Sequence, residues 1–404
     1  MQAPNPTPAP TTPSFMPARD VLLYLVLALV GLSFSATGPV AIIMSAARDS
    51  GLSAASLSSW VFTAFFINGI ATIVLSCWLK TPLVFFWTIP GTVLIAPVAV
   101  RYGFGAVVGT YWCCAMVLLA LGLTRVMTAI ERWVPMPVVM AMIAGIFINY
   151  VAAIFHATLV SPVMGGAMVV SYLWLQRREN RGAAMGVPPI IGAIAVGVLA
   201  LVVAPADAAA PSRVAGWLAT PQWITPVFHP QAAAELLLPL LVTVLFVQNA
   251  QGIAVIRSAG YPLSARLVTL SSAGLTAASA CFGGCPAVLA GPCNAILVSA
   301  GQPGRHYIAA AIVGGISIAI GLFATAYVGL LNAFPATFIA VVAGLAMLGV
   351  LEKSFRAAFQ SPHSLAPVLA FAVTVSNLKL LGIGAPFWAV VTGSLVAAWM
   401  EPRR

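Results

Sequence analysis

Three carboxamides stand within four positions of the stretch TVLFVQNAQGIAVIRSAGYP (243–262), at Gln248, Asn249 and Gln251. Amides donate and accept hydrogen bonds, so their chemistry here is recognition of a neighbouring helix or of a small polar solute. The residues before them are apolar for more than a turn. An amide left unpaired in such surroundings costs roughly 4–8 kcal/mol, so polar partners or a wet cavity must be close by. On a helix, Gln248, Gln251 and Gly252 share one face by i, i+3, i+4 spacing, with Asn249 about 100° round. Interhelical bonding, worth about 0.6–2 kcal/mol per contact, is one reading. Three amides and a glycine exceed what one packing contact needs, and the second reading is a cavity wall that binds a small polar solute.

Two further stretches pair with this one. VFFWTIPGTVLIAP (84–97) and CFGGCPAVLAGP (281–292) each place glycine and proline early in a short apolar segment. Such breaks start half-helices at Pro90-Gly91 and Gly283-Gly284. A helix start offers unpaired N–H groups and a positive dipole end, both suited to a carboxylate, without burying an Arg or Lys. Thr88 and Thr92 can donate hydroxyls, and Trp87, Phe34 and Phe282 can flank an aromatic ring. Each aromatic alone reads more readily as a core or lipid-facing residue than as part of a site. The six cysteines lie in apolar segments with no His or acidic companion, and read as small packing residues. No metal or other cofactor is expected.

The elements that must position these residues can be read from composition. The 404-residue chain is 61% hydrophobic and 6% charged, with a mean hydropathy of +1.04. Soluble domains carry about 25% charged residues, so most of this surface cannot face water. Apolar stretches long enough to cross a bilayer recur from Val21 onward. Breaks at Gly, Pro and charges give fourteen candidate spans: 20–46, 56–79, 83–99, 105–127, 134–156, 158–176, 187–204, 235–257, 264–281, 283–300, 306–330, 334–351, 365–381 and 384–400. With the N-terminus inside, only Arg48, Arg101, Arg213 and Lys379 of the eighteen Lys and Arg fall outside. That asymmetry is the positive-inside pattern, with both termini cytoplasmic. The net charge of +10 then reflects topology and an anionic inner leaflet, not nucleic acid. The Pro/Thr-rich residues 1–19 read as a disordered cytoplasmic tail without signal-peptide character.

Other classes fit poorly. The four histidines fall near span ends, no acidic residue sits mid-span, and neither HExxH nor GxSxG occurs, which argues against an intramembrane enzyme. A channel would want a continuous polar lining, whereas polarity here gathers near one depth. The loop at about 205–234 divides the spans seven and seven, and the matched breaks in spans 3 and 10 point to an inverted-repeat transporter.

The stretches QNAQGIAVIRSAGYP, FWTIPGTVLIAP, LLGIGAPFW (380–388) and LSSWVFTAFFINGIATIVLS (57–76) resemble the benzoate/proton symporter (BenE-type) family. The resemblance runs over nearly the whole chain after the tail. It implies an all-α polytopic membrane protein with about fourteen segments in a seven-plus-seven inverted repeat, related in fold to uracil/xanthine permeases and sulfate-type anion transporters. By that likeness 20–127 and 235–330 form a core domain, 128–204 and 331–404 a gate domain, and 205–234 an extracytoplasmic connector. The site would lie between half-helices 3 and 10. The partners implied are a small organic anion, a proton and the bilayer of a bacterial-type inner membrane, with a homodimer suggested by fold likeness alone. The function implied is import of benzoate or a similar aromatic carboxylate by proton symport, with an anion or nucleobase carrier as the alternative. One departure stands out. After its two glycines segment 10 reads Cys285, Pro286, Ala287, Val288, where the family usually has His or Phe, Ala, Val and Asn.

Overall fold

The computed structural model describes residues 18–124, 135–181, 189–203, 216–360, 365–378, 380 and 385–400. The tail to residue 17, the connector up to 215, Lys379, 381–384 and the side chain of Phe34 lie outside the described residues. The first rod is α1 (Ala18–Ala36) and α2 (Gly38–Asp49), broken at Thr37, whose dihedrals (φ −107°, ψ −85°) leave the helical region. Pro39 in the first turn of α2 lacks the N–H that would continue α1. The freed Ala36 carbonyl accepts from the Tyr327 hydroxyl. Next come α3 (Ala54–Phe62) and α4 (Asn68–Leu79), joined through a π-helical turn at Thr63–Ile67. Ser53 caps α3 by accepting from the Ser56 N–H at 3.1 Å.

Segment 3 opens as a strand, β1 (Phe85–Trp87), and continues as α5 (Ile89–Val93) and α6 (Ile95–Tyr102) before α7 (Phe104–Leu123). After it come α8 (Met136–Val160), α9 (Pro162–Asn180) and α10 (Pro189–Val203). The eighth segment is α11 (Pro230–Val242), a π-helical turn at Thr243–Asn249, and α12 (Ala250–Ser258). Pro239 inside α11 removes one backbone hydrogen bond just ahead of that turn. The rest is α13 (Ala265–Ala280), β2 (Ala287–Leu289), α14 (Gly291–Leu297), α15 (Tyr307–Leu322), α16 (Ala324–Asn332), α17 (Ala336–Phe359), α18 (Leu365–Val375) and α19 (Ala385–Met400).

Among the described residues six helical stretches are long and apolar enough to cross a membrane, and α15 with α16, bent by 73°, would make a seventh. Large apolar side chains such as Val74, Leu159, Val203 and Trp399 stand exposed on the outside of the bundle. That surface suits lipid rather than water, and the chain is an integral membrane protein.

The all-α expectation needs one correction. Segments 3 and 10 do not begin as helices but cross as an antiparallel strand pair, with Phe85 opposite Leu289, Phe86 opposite Val288 and Trp87 opposite Ala287. Pro90 and Pro292 hold the second positions of α5 and α14, so neither helix can extend backward through them without losing a hydrogen bond. The pairing continues at both ends, where the Thr88 N–H donates to the Pro286 carbonyl and the Ala290 N–H to that of Val84, each at 2.9 Å.

A two-stranded sheet has two open edges, and in an apolar interior each edge N–H needs a partner. Side chains supply them. Thr72 Oγ1 accepts from Phe85 N–H (3.0 Å) and Thr276 Oγ1 from Ala287 N–H (3.1 Å). Ser76 Oγ accepts from Leu83 N–H and Asn294 Oδ1 from Val84 N–H, both at 3.0 Å. Segments 2 and 9 thus use a hydroxyl on corresponding faces for the same task.

Packing around the strands is close. α4 crosses α15 where Gly69 meets Gly314, and a Cβ on Gly314 would stand 2.7 Å from the Gly69 carbonyl. Residues 216–228 strap one end of the bundle. Ala219 N–H donates to Leu322 O, Gln222 N–H to Ser59 Oγ, Ile224 N–H to Cys281 O, and Val227 N–H to Gly105 O. The strap therefore ties together Ser59 of α3, Gly105 of α7, Cys281 after α13 and Leu322 of α15 on one face.

The Gly69–Gly314 crossing gives a controlled test. Gly315 has no atom within 4 Å of where its Cβ would stand. Gly314→Leu should abolish the monodisperse peak in detergent or lower the melting temperature sharply, whereas Gly315→Leu should leave both near wild type. Size-exclusion profiles and thermal melts of the two variants check this.

Candidate functional site

The amide segment lies along a cavity of about 1700 Å³. Its wall includes Gly38 and Pro39 of α2, Ile89 and Pro90 of α5, Phe246 to Gln248, Gln251, and Pro292 of α14. The other side is Met140 and Phe147 of α8, Tyr172, Gln176 and Arg178 of α9, and Leu345, Ala346 and Leu348 to Arg356 of α17. At one end the wall closes where Gly38 lies against Ala346, so tightly that a Cβ on Gly38 would collide with the alanine methyl. The charged residues Arg178, Glu352, Lys353 and Arg356 belong to the last turns of α9 and α17. They mark the opposite end, and it carries cations assigned by the sequence to the cytoplasmic side. Arg356 pairs with Glu352 at 2.8 Å, and Arg178 lies over the Trp174 ring at 4.3 Å.

The three amides separate in space. Gln248 is 8% exposed, faces the cavity and has no protein hydrogen-bond partner among the described residues. Gln251 is exposed and shares the same wall. Asn249 turns the other way. Its Oδ1 accepts from the Leu289 N–H of β2 at 2.9 Å, and its Nδ2 donates to Ser272 Oγ at 3.0 Å. Gln248 and Asn249 are adjacent on their helix and so point about 100° apart around its axis, which lets one face the cavity while the other meets β2. Gly252 does not share the cavity face either: it backs onto Leu289, whose carbonyl would stand 2.8 Å from an added Cβ.

Of the remaining candidates, Pro90 lines the cavity, while the rest form the scaffold behind it. Thr88 is fully buried, caps α5 by accepting from the Gly91 N–H at 3.2 Å, and donates to Thr243 Oγ1 at 3.3 Å. Thr92 Oγ1 donates to the Thr88 carbonyl at 2.9 Å and stands 3.7 Å from Cys285 Sγ. Ala287 is a β2 residue, and Gly284 abuts the Thr63 side chain. Gly283 takes φ +78°, the left-handed turn that reverses the chain before β2. Trp87 is buried against Phe65, with ring centroids 5.3 Å apart, and its indole N–H has no partner among the described residues. Phe282 stands away from the cavity, edge-on to Phe62 and Trp223 near the strap.

Residues that the amide and Gly/Pro patterns missed include Asn294, Thr72 and Thr276, which hold the strands, and Phe147, Phe246 and Leu345, which supply apolar wall. Hydroxyls and an amide recurring within apolar segments 2, 9 and 10 were the available signal. The wall residues carried none, because an apolar side chain reads alike whether it faces lipid, core or cavity.

A helical bundle in the membrane, two half-segments crossing as strands, and a cavity against that crossing define a membrane transporter. The chain belongs to the BenE family of benzoate membrane transport proteins, whose family model matches residues 22–399. It is 28% identical to the inner membrane protein YdcO of Escherichia coli over 94% of this chain and 95% of that one. It is 27% identical to the benzoate membrane transport protein of Acinetobacter baylyi, covering 89% of this chain and 91% of the relative. Among solved structures, the fold resembles the transmembrane domain of the cyanobacterial bicarbonate transporter BicA, with a TM-score of 0.62, 14% identity, and coverage of 95% and 98%. It also resembles SLC26A9, with a TM-score of 0.64 and 12% identity over 96% of this chain and 66% of that chain. Family and neighbours are transporters, not enzymes.

The different fates of adjacent amides yield a prediction. Asn249→Ala leaves the Leu289 N–H unpaired in a buried strand, a loss of about 1–3 kcal/mol, and should lower the melting temperature in detergent. Gln248→Ala removes no protein hydrogen bond and should melt near wild type while losing ligand affinity. Thermal melts beside ligand binding on the same preparations separate the two.

Proposed function

We propose that this protein imports benzoate or a similar small aromatic carboxylate across the bacterial inner membrane by proton symport, with alternating access to the cavity. The observation that carries this reading is the cavity itself. It is apolar along Ile89, Met140, Phe147, Phe246 and Leu345, offers the free carboxamides of Gln248 and Gln251, and ends at a basic mouth. Apolar walls suit an aromatic body, two amides suit a single polar head, and Arg178, Lys353 and Arg356 favour the approach of an anion. Similarity to a benzoate transport protein supports the same substrate class. A cavity of about 1700 Å³ exceeds what so small a solute fills, and we read most of it as a water-filled vestibule.

In this reading the chain is a seven-plus-seven inverted repeat with cytoplasmic termini. The core would be 20–127 with 235–330, the gate 128–204 with 331–404, and 205–234 an outer connector. Supporting it, α4 packs on α15 and α7 on α13, pairs that exchange when spans seven apart are swapped. The long α8 and α17 pack along each other, and α2 meets α17 where Gly38 touches Ala346. Relative motion at that last contact would open the closed end. A homodimer has fold likeness as its support.

Uptake of labelled benzoate into proteoliposomes tests the function. Accumulation should rise under an inward proton gradient, saturate, and show counterflow. Failure of a panel of aromatic acids to be accumulated, with nucleobases or inorganic anions taken up instead, would overturn the assignment. Orientation has its own test in a cysteine-free background. A single cysteine at Thr220 should label from outside in intact cells and one at Ser264 only after permeabilisation. The reverse pattern would invert the topology.

A further inference from the structure

Ionisable side chains are spread unevenly over the cavity wall. Among its described residues they are Tyr172, Arg178, Glu352, Lys353 and Arg356. From Ala346, at the closed end, α17 rises about 9 Å before it reaches Glu352, at 1.5 Å per residue. Elements packed against the π-helical turn add Tyr150 and His156 on α8, Glu235 on α11, Arg257 on α12 and Arg266 on α13. None of these lines the cavity, and Glu235 is held by Arg101 at 2.9 Å.

The half-helix starts offer few N–H groups and no full charge in place of a cation. Pro90 and Pro292 have no N–H, and the Gly91 N–H is taken by Thr88 Oγ1. The N–H groups of Thr92 and Asn294 return to the carbonyls of Thr88 and Ala290. With only five and seven residues, α5 and α14 also have little dipole to offer. The cations of the cavity wall stand on α9 and α17, which are not among the elements packed against the π-helical turn. A carboxylate at the nine-tenths-buried Gln248 would thus lose hydration with no cation facing the cavity from the elements around it, which is unfavourable. The protonated acid has no such difficulty. Its O–H can donate to Gln248 Oε1 while Gln248 Nε2–H donates to its carbonyl, which closes a planar ring of two hydrogen bonds. Gln248 is free for this: it is more than nine-tenths buried, faces the cavity and lacks a protein partner among the described residues.

We propose that the site binds its carboxylic acid substrate in the protonated form, paired with Gln248, and that the co-transported proton travels on the substrate rather than on a side chain. This rests on the aromatic-carboxylate reading above. The balance is simple. Outside, one carboxylate takes up one proton from water; inside, the released acid returns it. One proton accompanies each acid, and no side chain changes its protonation state.

Binding measured on purified protein from pH 5 to pH 8 tests this. The apparent Kd for benzoate should rise about tenfold per pH unit, as the neutral fraction of a carboxylic acid falls above its own pKa. At fixed pH, a more acidic ring-fluorinated benzoate should bind more weakly by the ratio of the neutral fractions. Benzamide should compete with pH-independent affinity, and benzenesulfonate, ionised throughout, should not compete. Gln248→Leu should weaken benzoate and benzamide alike while the protein melts as wild type does. A pH-independent Kd with competition by the sulfonate overturns the proposal and leaves the carboxylate reading standing. Loss of the pH dependence in Glu352→Gln, or one titration midpoint shared by acids of different acidity, assigns the proton to the protein and likewise overturns it. Absence of benzoate binding at every pH, in protein that melts cooperatively, removes the carboxylate reading itself and the proposal with it.

Discussion

Two extended backbone segments cross in the interior of a membrane protein, and their hydrogen bonds organise much of what surrounds them. Strands cannot satisfy their own N–H and C=O groups as a helix does, and lipid offers no substitute. β1 and β2 satisfy each other on their facing edges. On the outer edges Thr72, Thr276 and Asn249 each meet one N–H, and at the end of the pair Asn294 meets that of Val84. Segments 2, 8, 9 and 10 are therefore bound to the crossing by polar side chains as well as by packing. Hydroxyls and amides inside otherwise apolar helices are the visible consequence.

The same crossing sets the wall of the cavity. Because β1 ends at Trp87, α5 must start at Ile89, and Pro90 is delivered to the cavity surface. Segment 8 then turns its adjacent amides to different sides. Asn249 is drawn to Leu289 and Ser272, and its neighbour Gln248 is left facing the open space. A regular helix through the same residues would keep Gln248, Gln251 and Gly252 together, whereas here Gly252 is pressed onto β2.

Charge and polarity are sorted by position along the cavity. Its closed end is a contact of small residues, Gly38 on Ala346, and its far end holds the ionic groups of α9 and α17. Charges can remain near water at a mouth at small cost, whereas each one moved inward needs a partner. Glu235, the buried carboxylate among the described residues, has such a partner in Arg101, near the start of α11 and away from the cavity.

Composition, apolar run lengths and Lys/Arg asymmetry were sufficient to read a polytopic membrane protein from the sequence, because hydrocarbon tolerates few charges and admits few backbone forms. The half-helix start at Pro90-Gly91 was legible, but the one expected at Gly283-Gly284 is a turn ahead of β2, and the second half-helix starts at Gly291-Pro292 instead. The backbone form beside each break was not legible: FFW and AVL become strands only because each finds the other, about 200 residues away. Nor could the sequence assign Gln248 and Asn249 to opposite tasks, for carboxamides of either kind can serve both. That difference belongs to tertiary structure, where the edge of β2 decides which amide is consumed by the fold and which remains free.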